Sequence, residues 1–295
     1  MRGLVVVGVD GSASSLAAVE AAVREARWRG AGLRLVHAFI WPAMHVPLGR
    51  SQLGPPEGGM RNMVERLLTE AEERARSMAP EVEISRAVVT GDALTVLEAQ
   101  SRAAELLVVG SRGMGGFVGL MVGSTAVHLA AHGRCPVLVV REQGERSGPI
   151  VMGVDGSSAG AGAVDFAFTE AALREAGLVA LHAWTNWNAP MPEPQDVTMP
   201  YANGLESMAA QEERLLSQAL AGYQETYPDV SVKREVVHGG TREALIEASR
   251  KAQLLVVGAR GRGGFAGLLL GSVSQAMLHH AHCPVAVVRN PDNSR

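Results

Sequence analysis

"VVGSRGMGGFVGLMVGSTA", residues 108–126, leads from an apolar segment of strand character to a Gly-Ser that opens a helix, and residues 256–274, "VVGARGRGGFAGLLLGSVS", do the same again. Glycine costs backbone entropy, so a cluster of it implies positive φ or a group that approaches the backbone closely. The spacing Gly110-x2-Gly113-x9-Gly123-Ser124 recurs as Gly258-x2-Gly261-x9-Gly271-Ser272, and residues 106–141 match 254–289 at 21 of 36 ungapped positions. The match extends outward. "VVVGVDGSASS" (5–15) answers "IVMGVDGSSAG" (150–160), and "LRLVHAF" (33–39) answers "LVALHAW" (178–184). "VEISRAVVTGD" (82–92) answers "VSVKREVVHGG" (230–240). A repeat of this length makes the chain a duplication. The polar, Gly- and Pro-bearing stretch 142–149 reads as a linker, which predicts domains over 1–142 and 149–291.

Within each half, short unbroken β-branched runs alternate with segments of helical period. Runs such as "LVVVGV" and "LLVVG" suit strands buried on both faces. Leu16, Val19, Ala22, Val23 and Ala26 form one apolar stripe, and Met63, Val64, Leu67, Leu68 and Ala71 another. The pattern predicts strands over 4–9, 33–38, 82–89, 106–110 and 137–141, with helices over 14–29, 60–79, 93–103 and 124–131, and the same order in the second half. Alternating strands and helices imply a parallel sheet covered on both faces, whose ligands bind beyond the carboxyl ends of the strands. The long stretches 41–59 and 185–201 leave the second strand of each half at that end. They read either as segments folding over a ligand or as surface loops.

Gly110 and Gly258 close the fourth strand of each half, where their backbone can lie against a ligand, and Gly113 and Gly261 permit a turn with inward amides that hold an anion. Ser124 and Ser272 are placed to N-cap the next helix, whose free N–H groups and dipole favour phosphate. Arg112, Arg260 and Arg262 add charge at the rim. Asp10 and Asp155, in "GVDGS" after the first strand, suit ribose hydroxyls or a magnesium-bound water, or else an Asx turn opening the next helix. A dinucleotide fingerprint would follow the first strand, not the fourth; Gly261-x-Gly263-x-x-Ala266 fits it formally, but the first half has Val118 at the last position. Lys233 and Lys251 are the only lysines and neither follows a glycine, so a Gly-Lys-Ser/Thr phosphate loop is excluded.

Composition narrows the function further. In 295 residues, 47% hydrophobic and 19% charged, the net charge is -3 and the pI about 6.3, which offers no footprint for nucleic acid or an anionic membrane. The opening strand leaves no signal-peptide cleavage region, no apolar run has a membrane helix's length, and two cysteines make no disulfide framework; the expectation is a cytoplasmic protein. His37 and His182, at matching ends of the second strand, read as core or rim histidines rather than metal ligands. Cys135 and Cys283 read as small buried apolar groups. No metal site and no nucleophile–base–acid arrangement emerges.

Gly-x2-Gly-x9-Gly-Ser in both halves, an Asp after the first strand and Cys-Pro-Val opening the fifth resemble the universal stress protein family, in its tandem two-domain, ATP-binding form. The resemblance covers nearly the whole chain. It implies two tandem Rossmann-like domains of the adenine nucleotide alpha hydrolase type, each a five-stranded parallel sheet of order 3-2-1-4-5 flanked by helices. It also implies one ATP site per domain, with or without Mg2+. In the first half, Gly8, Val9 and Asp10 would line the nucleoside and Ala38 would meet adenine through its backbone. Val109, Gly110, Arg112 and Gly113 would follow ribose and phosphates, and Gly123, Ser124 and Thr125 would hold the phosphate tail. In the second half the matching positions are Gly153, Val154, Asp155, Ala183, Val257, Gly258, Arg260, Gly261, Gly271, Ser272 and Val273. Met114 against Arg262 distinguishes the two loops. The expected function is a nucleotide-dependent stress-response regulator. A slow ATPase or phosphotransferase, a non-binding scaffold, and cyclic AMP as ligand stay open. The fifth strands, short and apolar, are expected to pair the two halves, and a chain–chain homodimer is a further possibility.

Overall fold

In the computed structural model, which describes residues 3–40, 56–113, 122–141, 147–185, 204–262 and 269–290, the chain divides into two compact units, Met1–Gly144 and Glu145–Arg295. The first contains β1 (Leu4–Gly8), α1 (Ala13–Arg29), β2 (Gly32–Phe39), α2 (Pro56–Met78), β3 (Ile84–Thr90), α3 (Ala93–Gln100), β4 (Leu106–Gly110), α4 (Ser124–His132) and β5 (Val137–Val140). All its strands are parallel, in the order β3-β2-β1-β4-β5. The second contains β6 (Ile150–Gly153), a 3-10 turn (Ser158–Gly160), α5 (Ala161–Leu173), β7 (Leu178–Trp184), α6 (Gly204–Ala219), α7 (Tyr223–Thr226), β8 (Val232–His238), α8 (Thr241–Ser249), β9 (Leu254–Gly258), α9 (Ser272–His280) and β10 (Val285–Val288). Its strands, also parallel, run β8-β7-β6-β9-β10. The two sheets therefore have one topology, the doubly wound order in which β1 and β4, or β6 and β9, flank the point where the winding reverses.

The unbroken apolar runs form the central strands because helices cover both faces: Val5, Val6, Val7, Leu106, Leu107 and Val108 are all fully buried. On α1 the stripe is buried at Val19, Ala22, Val23 and Ala26, joined by Ala18, whereas Leu16 is only half-buried. On α2 the stripe is narrower than the apolar residues suggest. Val64, Leu68, Ala71 and Ala75 are buried, whereas Met63 is 56% exposed. The second half adds α7, which has no counterpart before β3; there Phe168 stacks on Tyr223 and Tyr227 at centroid distances of 4.7 and 5.6 Å. Among the described residues no helix is long and apolar enough to cross a membrane. The segments 41–55 and 186–203, Met114, Val118, Gly263, Ala266 and linker residues 142–146 lie outside the described residues.

Candidate functional site

The second half opens a cleft of about 580 Å3 at the carboxyl ends of β6, β7 and β9, within the range of small-molecule sites. The eleven second-half residues that the resemblance implies for the nucleotide all line it: the β6 end supplies Gly153, Val154 and Asp155, and β7 supplies Ala183. The β9 end and its loop supply Val257, Gly258, Arg260 and Gly261, and the α9 start supplies Gly271, Ser272 and Val273. The first-half residues stand at the same places on equivalent elements. Gly8, Val9 and Asp10 end β1, and Ala38 lies on β2. Val109, Gly110, Arg112 and Gly113 end β4, and Gly123, Ser124 and Thr125 start α4.

The two aspartates tie this end of each sheet together. Asp10 Oδ1 accepts from the Ser12 backbone N–H (3.0 Å) and hydroxyl (2.7 Å), and Asp155 Oδ1 accepts likewise from Ser157 (2.9 and 2.7 Å). These are the Asx turns that open α1 and the 3-10 turn before α5. The other oxygen reaches the glycine loop: Asp155 Oδ2 accepts from the Arg262 backbone N–H at 2.8 Å. A Cβ on Gly113 or Gly261 would lie 2.7 or 2.5 Å from the carboxylate, so these glycines admit the aspartate. Gly11 and Gly156, inside "GVDGS", carry the positive φ (87° and 70°) of that turn. The backbone freedom is thus needed after β1 and β6. In the later loop Gly110, Gly113, Gly258 and Gly261 serve close approach instead.

Ser124 and Ser272 are not N-caps. Gly123 (φ −76°, ψ 154°) and Gly271 (φ −73°, ψ 157°) hold that position. Their carbonyls accept from Val127 N–H (3.3 Å) and Gln275 N–H (3.0 Å), the first intrahelical bonds. The serines begin the helix proper and are exposed. The difference matters chemically. Ser12 and Asp92 cap α1 and α3 with their side chains, but α4 and α9 begin with no side-chain cap, leaving first-turn N–H groups open to an external acceptor. The helix start is pinned opposite the loop, since Gly123 and Gly271 donate to the Ser111 and Ala259 carbonyls at 2.7 Å.

Sequence reasoning missed the opposite wall. His37 and His182 are not merely filling the core: each Nδ1 lies 2.7 Å from the carbonyl of Val9 or Val154, to which it donates. His182 is 4% exposed and lines the cleft together with Trp184, Glu212 and Thr241. Its Nε2 stands 2.8 Å from Glu212 Oε2, a carboxylate only 3% exposed. A glutamate on an amphipathic helix reads as a solvent-facing residue, and only the packing of α6 on the sheet turns it inward. Of the two cysteines expected to be buried, Cys283 is buried but Cys135 is only half-buried; desolvation still pushes the Cys135 thiol up to about 12, so it is protonated at neutral pH.

The universal stress protein family model matches this chain over residues 1–141 and 147–289. A universal stress protein of Mycobacterium tuberculosis is 36% identical over 295 residues, spanning 97% of this chain and 96% of its own. One from Mycolicibacterium smegmatis is 37% identical over 297 residues, with the same two coverages. Among solved structures, a universal stress protein from Archaeoglobus fulgidus superposes over 97% of this chain and 98% of its own, with a TM-score of 0.66 at 17% identity, a likeness of fold. A universal stress protein in complex with cAMP matches 48% of this chain and 98% of its own, at 28% identity and a TM-score of 0.38.

Proposed function

The chain belongs to the universal stress protein family, and we propose that it is a cytoplasmic adenine-nucleotide receptor with one site in each half, ATP being the ligand and its occupancy the signal passed to a partner. The observation that carries this reading is the uncapped start of α9 facing the glycine loop across the cleft. Unpaired N–H groups and the positive helix end favour an anion there. Arg260 and Arg262 line the same cleft and add positive charge. The apolar walls formed by Val154, Leu181, Ala183 and Leu245 suit a base. Phosphates would then lie between loop and helix, and the nucleoside along the ends of β6 and β7. When bound, Mg2+ would share the phosphate charge. The reading is of binding rather than turnover; release of ADP above a protein-free control would move the chain among the ATPases instead. As part of the same proposal, the apolar edge strands β5 and β10 mediate association of the halves, and slow amide exchange in both, lost together on introducing a proline into β10, would support it.

Calorimetry on the intact chain tests the main reading, with an expected stoichiometry of two ATP. Gly123→Val and Gly271→Val should each remove one site and the double variant both. The backbone tolerates the change: φ is negative at both glycines, and a Cβ would meet only ordinary contacts, no nearer than 3.6 Å at Gly123 and 3.4 Å at Gly271. What the added side chain occupies is the space between loop and helix start. Two ATP bound by both folded single variants would defeat the proposal, and cyclic AMP displacing ATP at equal concentration would change the ligand assigned.

A further inference from the structure

At the end away from the glycine loop, the wall of the second-half cleft and the equivalent place in the first half carry different residues. Leu67 on α2 and Leu215 on α6 occupy the same place, each lying against the glycine of "GVDGS": a Cβ on Gly11 would sit 2.7 Å from Leu67 Cδ1, and one on Gly156 would sit 2.5 Å from Leu215 Cδ2. One turn earlier this register puts Val64 in the first half where Glu212 stands in the second, both nearly buried at 4% and 3% exposure. Both halves keep the histidine beside that position, anchored through Nδ1 to the strand carbonyl. Among the described residues, only the second half gives it a carboxylate.

The hydrogen-bond count at this pair determines what is left for a ligand. Val154 O accepts only, so His182 Nδ1 carries a proton. The 2.8 Å contact between Nε2 and Glu212 Oε2 then needs one further proton between two acceptors. Whether that proton sits on the imidazole or on the carboxyl, Oε1 remains an acceptor and nothing else. Among the described residues no other hydrogen bond reaches the Glu212 carboxyl group. Glu212 lines the cleft beside Ala183 and Trp184. An acceptor held rigidly in a buried wall rewards a donor on the ligand and penalises a second acceptor.

We propose that Glu212 is a specificity-determining residue of the second site: its Oε1 accepts from the exocyclic amino group of a 6-aminopurine, and so sets that site against 6-oxopurines more strongly than the first. This rests on the nucleotide reading above. His182 acts as the positioning residue that fixes the carboxylate through its own bond to Val154. The first site has the apolar Val64 there and lacks this discrimination.

The test compares ATP with inosine triphosphate, in which the 6-amino donor becomes a 6-oxo acceptor. Binding is measured in Gly271→Val for the first site alone and Gly123→Val for the second. The ATP preference of the second site should exceed that of the first by tenfold or more, the lower range of one good base contact. Glu212→Val gives the second wall the residue of the first and removes the acceptor, so it should admit inosine triphosphate to the second site while still binding ATP. Val64→Glu, in the Gly271→Val chain, should form the pair with His37 and install the preference in the first site. Equal preferences at the two sites, or an unchanged preference in Glu212→Val, would overturn the role of Glu212 while leaving the nucleotide reading intact. So would loss of ATP along with inosine triphosphate in that variant. Failure of the unmodified chain to bind either nucleotide would instead defeat the nucleotide reading, and this inference with it.

Discussion

Where the helix start meets the described end of the glycine loop the two halves are alike, down to the 2.7 Å bond that pins Gly123 to Ser111 and Gly271 to Ala259, whereas the walls at the ends of β2 and β7 keep the histidine and change the residues around it. Phe39, Val64 and Ala93 in the first half stand against Trp184, Glu212 and Thr241 in the second. The difference separates two demands. Holding an anion asks for backbone N–H groups and closely packed glycine, which leaves few alternatives at each position. Recognising the rest of a ligand asks for side chains, and there a duplicated chain can change one residue at a time without disturbing the fold. On this view the halves share a way of gripping and differ in what they distinguish.

Cutting the aspartate tie should produce the largest stability effect on this comparison. Asp155→Ala removes the acceptor of Ser157 N–H, Ser157 Oγ–H and Arg262 N–H in one step. The expected loss is about 2–3 kcal/mol, read by denaturant unfolding of the intact chain. The glycine loop of the second half should also exchange its amides faster, since Arg262 loses its anchor. If unfolding is unchanged and the loop amides stay protected, Asp155 is not the clamp.

A smaller and more pointed contrast lies at the strand ends. Both halves have glycine there, yet for different reasons. A Cβ on Gly110 would meet Ser14 Oγ at 2.6 Å and the Ser14 backbone at 2.8 Å, so α1 packs directly on the end of β4. At Gly258 the nearest atom would be Arg260 O at 3.0 Å, and the serine that ties the strand end is Ser274 on α9, donating to Gly258 O at 2.6 Å. Gly110→Ala should therefore cost about 1–3 kcal/mol, and Gly258→Ala roughly half as much or less by the same reasoning. Equal costs by thermal melting would show that the two contacts relax equally and would remove this difference between the halves.

Much of this was legible in the residues themselves. The unbroken valine and leucine runs of β1, β4, β6 and β9 leave no alternative to strands covered on both faces, and the repeated motif fixes the duplication. The helix start was misread by one residue because serine outranks glycine as an N-cap in general. Here the carbonyl that accepts the first helical bond belongs to the glycine. The role of Gly113 and Gly261 was hidden for another reason: a close approach depends on which side chain arrives, and the aspartate comes from a loop about a hundred residues away in sequence. Glu212 was the least legible. Between β2 and β3 the halves do not align, so nothing in the sequence pairs it with Val64. Its burial follows only from the register of α6 on the sheet.

The smallest expected effect concerns the helices that follow β3 and β8. Asp92 caps α3, accepting from Thr95 N–H at 3.0 Å. Gly240 holds the same position before α8 without a side-chain cap. The bond from the Thr95 backbone N–H, and then the one from its hydroxyl, lower the Asp92 carboxyl from its ordinary value. A carboxyl with a lowered folded value binds its proton less readily than in the unfolded chain. Its stabilisation is therefore fully present above the ordinary carboxylate range and is lost as pH falls through the folded value. Asp92→Asn should keep the cap while flattening that acid dependence, because the amide oxygen still accepts and nothing titrates. The reciprocal change, Gly240→Asp, should add a few tenths of a kcal/mol at neutral pH, with Glu243 displaced from the space its carboxylate takes beside Gly240. Amide exchange of the first turns of α3 and α8, followed from pH 7 downward, reads both. Protection that falls with acid at α3 but not at α8 in the unmodified chain, and at both in Gly240→Asp, is the expected pattern. An α3 whose protection in Asp92→Asn tracks pH as before would mean that the cap is not what the proton disturbs.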